Sequence, residues 1–347
     1  MTGAQRSSPD APPGSASGFA QRSSPDAPPG SDPPLEYDEM SMFHENAAEF
    51  GIEMTHPPAV RRVSVPVDAS RRLSALVWGE GAAELVLLHG GAQNAHTWDT
   101  VALALDRPLV ALDLPGHGHS DDARTSSVDV VGNAEDVAAA VDQLAPKARV
   151  VVGMSLGGLT ALALATARPE LVGGLVLVDI TPGVTATKSA SISAFVRGPA
   201  SFPNFDQLLA RTIEHNPSRS VSSLRRGILH NAERQPDGSW RWRYRRDTDS
   251  GPFAEADQPG FSDLWEVVSG LPMPVMLVRG MRAQSVVDDA DEAELRRRLP
   301  DATVVHVAGA GHSVQGDAPL ELARSIERFL DQMTAGSERE PRRSEAR

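Results

Sequence analysis

The sequence predicts an α/β fold in which a mostly parallel central sheet is flanked by helices and interrupted by an inserted lid. Short runs rich in valine and leucine alternate with helical patterns along most of the chain, as expected of parallel strands buried on both faces. Between Pro182 and Ser269 this alternation stops, and helix-like pieces follow one another. We therefore predict a core of residues 40–182 and 270–333, and a helical lid at 183–269.

The individual elements follow from the same patterns. The predicted strands are Arg62–Val67, Leu73–Trp78, Leu85–His89, Leu109–Asp113, Arg149–Gly153, Leu175–Ile180, Val275–Arg279 and Thr303–Val307. The predicted helices are Asp129–Leu144, Leu156–Thr166, Asp289–Leu299 and Leu320–Met333 in the core, and Phe205–His215 and Ser218–Asn231 in the lid. Because parallel strands joined by helices end at one edge of a sheet, the loops that follow them converge there.

Both ends of the chain have a composition that disfavours folding. Residues 1–36 are mostly Pro, Ser, Ala, Gly and Asp, and AQRSSPDAPPGS occurs at 4–15 and again at 20–31. Such a segment cannot bury enough apolar surface to offset its ordering entropy, so we predict disorder there and in the charged residues 334–347. The repeat is interpreted as a neutral duplication, with a docking peptide as the alternative.

Composition narrows the range of partners. Asp and Glu number 46 against 33 Lys and Arg, and the net charge of −13 disfavours nucleic acid as a partner. The sequence contains no apolar stretch of about 20 residues, the length that a membrane-spanning helix needs. There is no cysteine, which excludes disulfides, thiolate metal sites and cysteine nucleophiles and is consistent with a reducing cytoplasm. We expect a small-molecule substrate, while the oligomeric state stays open.

Ser155 is the candidate nucleophile. Residues 153–157 read Gly-Met-Ser-Leu-Gly between a predicted strand and a predicted helix, the context of a nucleophile elbow. Glycines on both sides let strand and helix approach closely, so the serine hydroxyl projects into the cleft at the strand ends. The N–H of Leu156, at the start of the helix, then points toward a developing oxyanion.

A glycine-rich strand end offers the second oxyanion donor. Residues 89–91 read His-Gly-Gly after a buried strand, and a backbone N–H of such a loop can face the nucleophile. Gly91 is the candidate partner of Leu156. His89 and Trp98 are interpreted as structural residues beneath this loop.

His312 is the candidate general base. Residues 309–313 read Gly-Ala-Gly-His-Ser after the last predicted strand, and the glycines allow the histidine to be aimed at Ser155. The order Ser before His along the chain is that of one known arrangement of a serine triad. His117 and His119 lie in a turn after another strand and are interpreted as structural.

Together these segments resemble the α/β-hydrolase superfamily over about residues 60–332. The matching pieces are HGGAQNAHTW at 89–98, DLPGHGHSD at 113–121, GMSLGG at 153–158, VLVDITPG at 176–183 and GAGHSVQGD at 309–317. The resemblance is to small esterases, lactonases and C–C-bond hydrolases rather than to dehalogenases and epoxide hydrolases, which have Asp where this chain has Ser155. We expect that no metal or organic cofactor is needed, because the chain has no cysteine and the sequence shows no His/Asp/Glu cluster at metal-ligand spacing.

The usual triad acid of this superfamily is absent. It would follow the strand ending near Gly280 by three or four residues, where this chain has Ala283 and Gln284. Neither side chain can carry a negative charge. The acid must therefore come from another position, or the Ser–His pair works without one.

Three aspartates are the alternatives. Asp179 ends a strand predicted next to the one carrying the nucleophile, and some haloalkane dehalogenases place their acid after this strand; it is the preferred candidate. Asp288 and Asp289 precede a predicted helix, where N-capping is the simpler role. A purely structural role for Asp179 and the absence of any functional acid also stay open.

Residues 240–246 alternate aromatic and basic side chains. On a strand, Trp240, Trp242 and Tyr244 would share one face. We expect these aromatics to cover the core while the arginines reach solvent, or to wall the pocket as part of the lid. Stacking on nucleic acid is disfavoured by the overall charge.

The sequence thus predicts a serine hydrolase that cleaves an ester, a lactone or a related acyl bond through Ser155 and His312, with Asp179 as the favoured acid. A lyase or a cofactor-free haloperoxidase in the same site is the alternative, because fold alone does not determine the reaction. A non-catalytic ligand-binding member of the superfamily is the third possibility.

Overall fold

The computed structural model describes residues 37–125, 128–244 and 261–339. The predicted N-terminal tail with its direct repeat lies outside the described residues, as do 245–260 of the lid and everything from 340 onward.

Eleven strands are present among the described residues. In chain order they are β1 Val60–Pro66, β2 Arg72–Trp78, β3 Leu85–Leu88, β4 Leu109–Leu112, β5 Val150–Met154, β6 Leu175–Val178, β7 Ser201–Phe202, β8 Ala232–Arg234, β9 Trp240–Trp242, β10 Val275–Gly280 and β11 Thr303–Val307. Each of the eight predicted strands overlaps one of them.

The described helices alternate with these strands. They are α1 Phe43–Phe50, α2 Asp99–Leu105, α3 Val130–Leu144, α4 Leu156–Ala167, α5 Ala190–Val196, α6 Phe205–His215, α7 Val221–Asn231, α8 Leu264–Val268, α9 Asp289–Arg298, α10 Val314–Asp317 and α11 Pro319–Arg339. Helices α1, α2, α5, α8 and α10 were not predicted, because helices of eight residues or fewer give too short a stretch for periodicity to be read.

The central sheet has the strand order β1-β2-β4-β3-β5-β6-β10-β11. Only β2 runs opposite to the others: β1 and β4 pair with it antiparallel, and the remaining neighbours pair in parallel. Strands β5, β6 and β10 are adjacent at the centre, so the loops after β5, β6, β10 and β11 open at the same edge. That edge carries the candidate site.

Alternate residues of each strand pack on opposite faces of this sheet. Val86 and Leu88 of β3 join the apolar cluster formed with α3 and α4, whereas Leu85 and Leu87 join the cluster formed with α2 and α11. All four are fully buried. Burial of each contributes about 1.5–3 kcal/mol to folding, so the two helical layers hold the strand ends in place.

The lid is not purely helical, which corrects the prediction for 183–269. Strands β7, β9 and β8 form a three-stranded antiparallel sheet in that order. β7 and β8 have two and three residues, too few to show a period. In β9, Trp240 and Trp242 are buried and Arg241 is exposed, the alternation expected of an aromatic strand face; Arg245 and Arg246 lie outside the described residues.

The last helix is longer than predicted. α11 runs to Arg339, so residues 334–339 continue the helix instead of starting the predicted tail. One reason is visible at the boundary: Arg149 donates hydrogen bonds to the Leu330 carbonyl and to the Thr334 hydroxyl. Across the part of the chain that the structure describes, no helix is both long and apolar enough to cross a bilayer.

Candidate active site

Ser155 occupies the turn between β5 and α4. Its backbone has φ 50° and ψ −118°, a conformation that costs a non-glycine residue about 1–3 kcal/mol and recurs at functional sites. β5 ends at the residue before Ser155, and α4 begins at the residue after it. Its side chain therefore projects from the tip of a sharp turn. The residue is almost fully buried, at 3% exposure.

The glycines flanking Ser155 are required by close packing. A Cβ at Gly153 would lie 2.3 Å from the Gly157 carbonyl oxygen, and a Cβ at Gly157 would lie 2.3 Å from the Leu88 carbonyl oxygen. Both distances are far below van der Waals contact. Any side chain at either position would therefore push α4 away from β5 or β3 and displace the serine.

The loop after β3 lies against the serine. A Cβ at Gly90 would sit 3.3 Å from Ser155 Cβ, and the Gly90 N–H donates to Gln93 Oε1 at 3.1 Å. Gly90 and Gly91 line the same cavity as Ser155. Leu156 is the first residue of α4, so its N–H has no partner within the helix. The N–H groups of Gly91 and Leu156 remain the candidate oxyanion donors.

Two neutral histidines hold this loop. His89 Nδ1 lies 2.7 Å from the Gly90 carbonyl oxygen, and its Nε2 accepts the Leu114 N–H at 2.9 Å. Burial, assisted by the neighbouring His117, lowers the pKa of His89 to about 3. His117 Nε2 accepts the Ala92 N–H at 3.1 Å, and burial lowers its pKa as well. Both histidines therefore have the structural role that the sequence predicted.

Trp98 and His119 are also structural. Trp98 is fully buried in the apolar cluster beside α2 and α11. The backbone N–H of His119 donates to Asp113 Oδ2 at 3.0 Å, which helps to fix the turn after β4. Neither residue lines the cavity that contains Ser155.

His312 is paired with Asp179 at the sheet edge. The distance between His312 Nδ1 and Asp179 Oδ2 is 2.9 Å, and both residues are buried. Asp179 immediately follows β6 and has φ 48°, a left-handed conformation that turns its carboxylate toward the loop after β11. Its partner His312 lines the cavity together with Ser155.

The last residue of β10 and the loop after it supply the other side-chain partners of Asp179. Oδ1 accepts the Gly280 N–H at 2.9 Å and the Ser285 hydroxyl at 2.6 Å, and Oδ2 accepts the Val286 N–H at 3.0 Å. These hydrogen bonds hold the carboxylate in the orientation in which Oδ2 also meets His312 Nδ1. Ser285 was not predicted as a site residue. The signal for it in the sequence is its place beside Gln284, in the loop where the triad acid is usual.

Asp288 and Asp289 lie at the start of α9 instead. Asp288 accepts the Asp291 N–H at 2.9 Å within a capping box and forms an ion pair with Lys188 at 2.9 Å. This ion pair lowers the pKa of Asp288. Asp289 is 96% exposed and pairs with Arg279. Both therefore act at the helix N-terminus, as the simpler interpretation held.

A cavity of ≈ 440 Å³ contains Ser155 and His312. Its outer wall comes from the lid, through α5 and the segment 215–219 that joins α6 to α7. A smaller cavity of ≈ 170 Å³ shares part of that wall and is also lined by Trp242 of the aromatic strand. The lid therefore shapes the space in which a substrate would lie.

A cluster of potential metal ligands lies outside the cavity that contains Ser155 and borders the ≈ 170 Å³ cavity. The donor atoms of His96, Asp99 and His230 lie within 4.8 Å of one another, and all three residues are buried. Spacing along the sequence does not reveal this cluster, because His230 lies on α7, far from the other two residues. The two imidazole rings are nearly parallel, 10° apart, with centroids at 3.7 Å. Parallel stacked rings do not direct their in-plane lone pairs at one ion.

The same cluster is balanced by charges of the chain itself. Burial lowers the pKa of His96, but Asp99 and Glu39 outweigh it and raise that pKa to about 9. His96 Nδ1 lies 2.9 Å from Asp99 Oδ2, and Nε2 lies 3.0 Å from Glu39 Oε1. A cation must displace a proton from His96 to bind there. As it stands, the arrangement is a buried ion-pair cluster.

Comparison with known proteins identifies the family. The model of the alpha/beta hydrolase family matches residues 85–325. The chain belongs to the alpha/beta hydrolase family. It is 43% identical over 302 residues to Esterase Rv0045c of Mycobacterium tuberculosis, an alignment that covers 85% of this chain and 96% of that protein. A solved structure of that esterase matches with a TM-score of 0.74 at 42% identity, covering 85% of this chain and 99% of the other.

Two less similar relatives of this alpha/beta hydrolase have names that state their substrates. It is 29% identical over 265 residues to 2-(acetamidomethylene)succinate hydrolase of Mesorhizobium japonicum, covering 75% of this chain and 92% of that protein. It is 28% identical over 265 residues to an sn-1-specific diacylglycerol lipase of Danio rerio, covering 73% and 80%. The fold prediction is confirmed, and the chain is a hydrolytic enzyme.

Proposed function

We propose that this enzyme hydrolyses carboxylic esters, or related acyl bonds such as lactones, of small molecules through Ser155, His312 and Asp179. The observation that carries the proposal is the 2.9 Å contact between His312 Nδ1 and Asp179 Oδ2 beside a cavity that His312 shares with Ser155. The 43% identity to an esterase supports esters as the substrate class.

Acylation follows from the roles of these groups. His312 Nε2 accepts the proton of the Ser155 hydroxyl while Oγ attacks the ester carbonyl carbon. The carbonyl oxygen becomes an oxyanion, which the N–H groups of Gly91 and Leu156 stabilise. The tetrahedral intermediate then collapses, and His312 returns the proton to the departing alkoxide.

Deacylation repeats these steps with water. His312 takes a proton from water, the hydroxide attacks the acyl carbon, and Ser155 leaves with a proton from His312. Asp179 accepts a hydrogen bond from His312 Nδ1–H throughout. This bond keeps His312 Nε2 available as the base and stabilises the imidazolium. The donors from the end of β10 and from the loop after it keep that carboxylate fixed in position.

Ser155→Ala tests the central step. We expect it to abolish ester turnover and labelling by a fluorophosphonate probe, because the covalent bond to Oγ can no longer form. Ser191→Ala is a matched control, since Ser191 lines the same cavity without belonging to the proposed triad, and it should retain labelling. Melting temperatures of both variants would establish that they fold. Undiminished turnover by Ser155→Ala would refute the proposal.

The alternative reactions have less support. A lyase or cofactor-free haloperoxidase rested on the missing acid, and the contact of Asp179 with His312 offers an acid from another strand. A non-catalytic ligand-binding role is disfavoured because Ser155 and His312 line one cavity.

We also propose a cytoplasmic location, which cell fractionation of the natural host would test.

A further inference from the structure

Arg219 lies in the lid between α6 and α7 and borders both cavities. It lines the ≈ 440 Å³ cavity that contains Ser155 and His312. It also lines the neighbouring ≈ 170 Å³ cavity. A substrate held at Ser155 therefore shares its cavity with a guanidinium group.

The guanidinium of Arg219 forms no ion pair at bonding distance among the described residues, although Asp317 and Glu49 are near enough to favour its charged form. Its guanidinium makes one described side-chain hydrogen bond, from Nη2 to the neutral Ser223 hydroxyl at 2.7 Å. Within the ranges that the structure covers, no carboxylate is at ion-pair distance, and the buried Nε has no hydrogen-bond partner. Burial lowers the pKa of Arg219. Arg219 is half-buried as a residue, but a buried guanidinium nitrogen without a hydrogen-bond partner is costly, which points to a ligand that completes the site.

Arg226, seven residues further along, shows how the fold treats a structural arginine. It is 4% exposed and lies on α7. Its guanidinium forms ion pairs with Glu45 and Glu49, and its Nε donates to Asn46 Oδ1 at 2.9 Å. Arg226 thus has ion-pair partners within the fold, whereas half-buried Arg219 keeps an Nε without a hydrogen-bond partner.

The cavity around Arg219 is also positively charged. Arg282 lines it as well, and Asp317 is its one acidic residue among those that the structure describes. Asp317 Oδ2 is already engaged by the Gly311 N–H at 2.9 Å. A cavity with two arginines in a chain of net charge −13 favours an anionic ligand.

We propose that Arg219 binds a carboxylate on the acyl part of the substrate, so that the preferred substrates are monoesters of short dicarboxylic acids. The inference rests on the ester hydrolysis proposed above and specifies its substrate class. A carboxylate fits because it accepts two parallel N–H bonds from a guanidinium. The cavity volume is within the range of small-molecule sites.

A pair of esters that differ only in charge tests this inference. We would measure kcat/KM for p-nitrophenyl hydrogen adipate and for p-nitrophenyl methyl adipate, which have the same chain between ester and distal carboxyl group. The wild-type enzyme should prefer the charged ester. Arg219→Gln should lower the charged-to-neutral ratio by about 10- to 100-fold, the range expected for one hydrogen-bonded charge.

Two further variants separate charge from fold. Arg225→Gln also removes one guanidinium charge, but Arg225 lies on α7 and lines neither cavity. This variant should keep the wild-type ratio of charged-ester to neutral-ester turnover. Arg219→Lys should fall between wild type and Arg219→Gln, because an ammonium retains the charge and loses the planar fork.

Turnover of the neutral ester reports the hydrolase itself. If the wild-type enzyme cleaves the neutral ester but Arg219→Gln leaves the ratio unchanged, this inference fails and the proposed function stands. If neither ester is cleaved, the proposed function fails. Calorimetric binding of adipate to wild type and to Arg219→Gln still decides the role of Arg219. Binding of inorganic phosphate but not adipate by the wild type would overturn the choice of a carboxylate.

Discussion

Two buried histidine–aspartate pairs in the described part of the chain have the same local geometry and different surroundings. In both, Nδ1 lies 2.9 Å from a carboxylate Oδ2: His312 with Asp179, and His96 with Asp99. The ring of His96 is closed in by Glu39 at Nε2 and by the stacked ring of His230. His312 instead lines the cavity that contains Ser155.

The surroundings of the second ring nitrogen, Nε2, decide the role of such a histidine–aspartate pair. With a carboxylate on each side, His96 has its pKa raised to about 9 and keeps its proton near neutral pH, so it cannot act as a base. His312 has one carboxylate partner and shares its cavity with Ser155, whereas His96 borders the ≈ 170 Å³ cavity, which Ser155 does not line. The same two residue types therefore form an ion pair in one place and a proposed general base in the other.

Replacing each aspartate by asparagine should give the largest contrast. Asp179→Asn should reduce kcat by about 10⁴-fold, because asparagine can hold the wrong imidazole tautomer. Asp99→Asn should lower the melting temperature while leaving kcat close to wild type, since its histidine does not face Ser155. Steady-state kinetics and thermal unfolding of both variants distinguish these outcomes.

Asp288→Asn serves as a third variant in that series. It affects a helix cap that contributes about 0.5–2 kcal/mol to stability and should not affect kcat. Ordinary turnover by Asp179→Asn would place the acid elsewhere or show that the Ser–His pair works alone.

A carboxylate at the usual position should compensate in part. Gln284 lies in the loop after β10 and lines the cavity with His312. In the Asp179→Asn background, Gln284→Asp should recover on the order of 10-fold in kcat, because a nearby carboxylate stabilises the imidazolium. Gln284→Asn in the same background is the control and should recover nothing. Equal rates for the two double variants would mean that this loop cannot reach His312.

The pH dependence of stability should report the His96 pair. The folded-state pKa of His96 is about 9 against an ordinary 6.5, so its charged form stabilises the fold below pH 6.5, and this stabilisation is lost as pH rises through 9. The melting temperature of His96→Gln should fall furthest below wild type near pH 6, by roughly 5 °C, and the difference should shrink by pH 10. A difference that stays constant or grows with pH would contradict the assignment.

Much of this enzyme was determined by local sequence. The valine- and leucine-rich runs specified the central sheet, because a strand buried on both faces has few polar positions. Gly-Met-Ser-Leu-Gly specified the turn at Ser155, because only glycine tolerates the approach of α4 to β5 and β3. The segments carrying His312 and Gly91 were recognisable since glycine-rich loops follow buried strands.

The parts of the site that depend on residues distant in sequence became visible only in the tertiary structure. Asp179 reaches His312 across 133 positions, and the loop after β10 that lacks an acid instead holds that carboxylate. The metal-like cluster formed with His230, the lid strands and the unpaired Nε of Arg219 are likewise products of packing between segments. Periodicity and motifs describe neighbours along the chain, whereas the charge state and role of a buried side chain depend on neighbours in space.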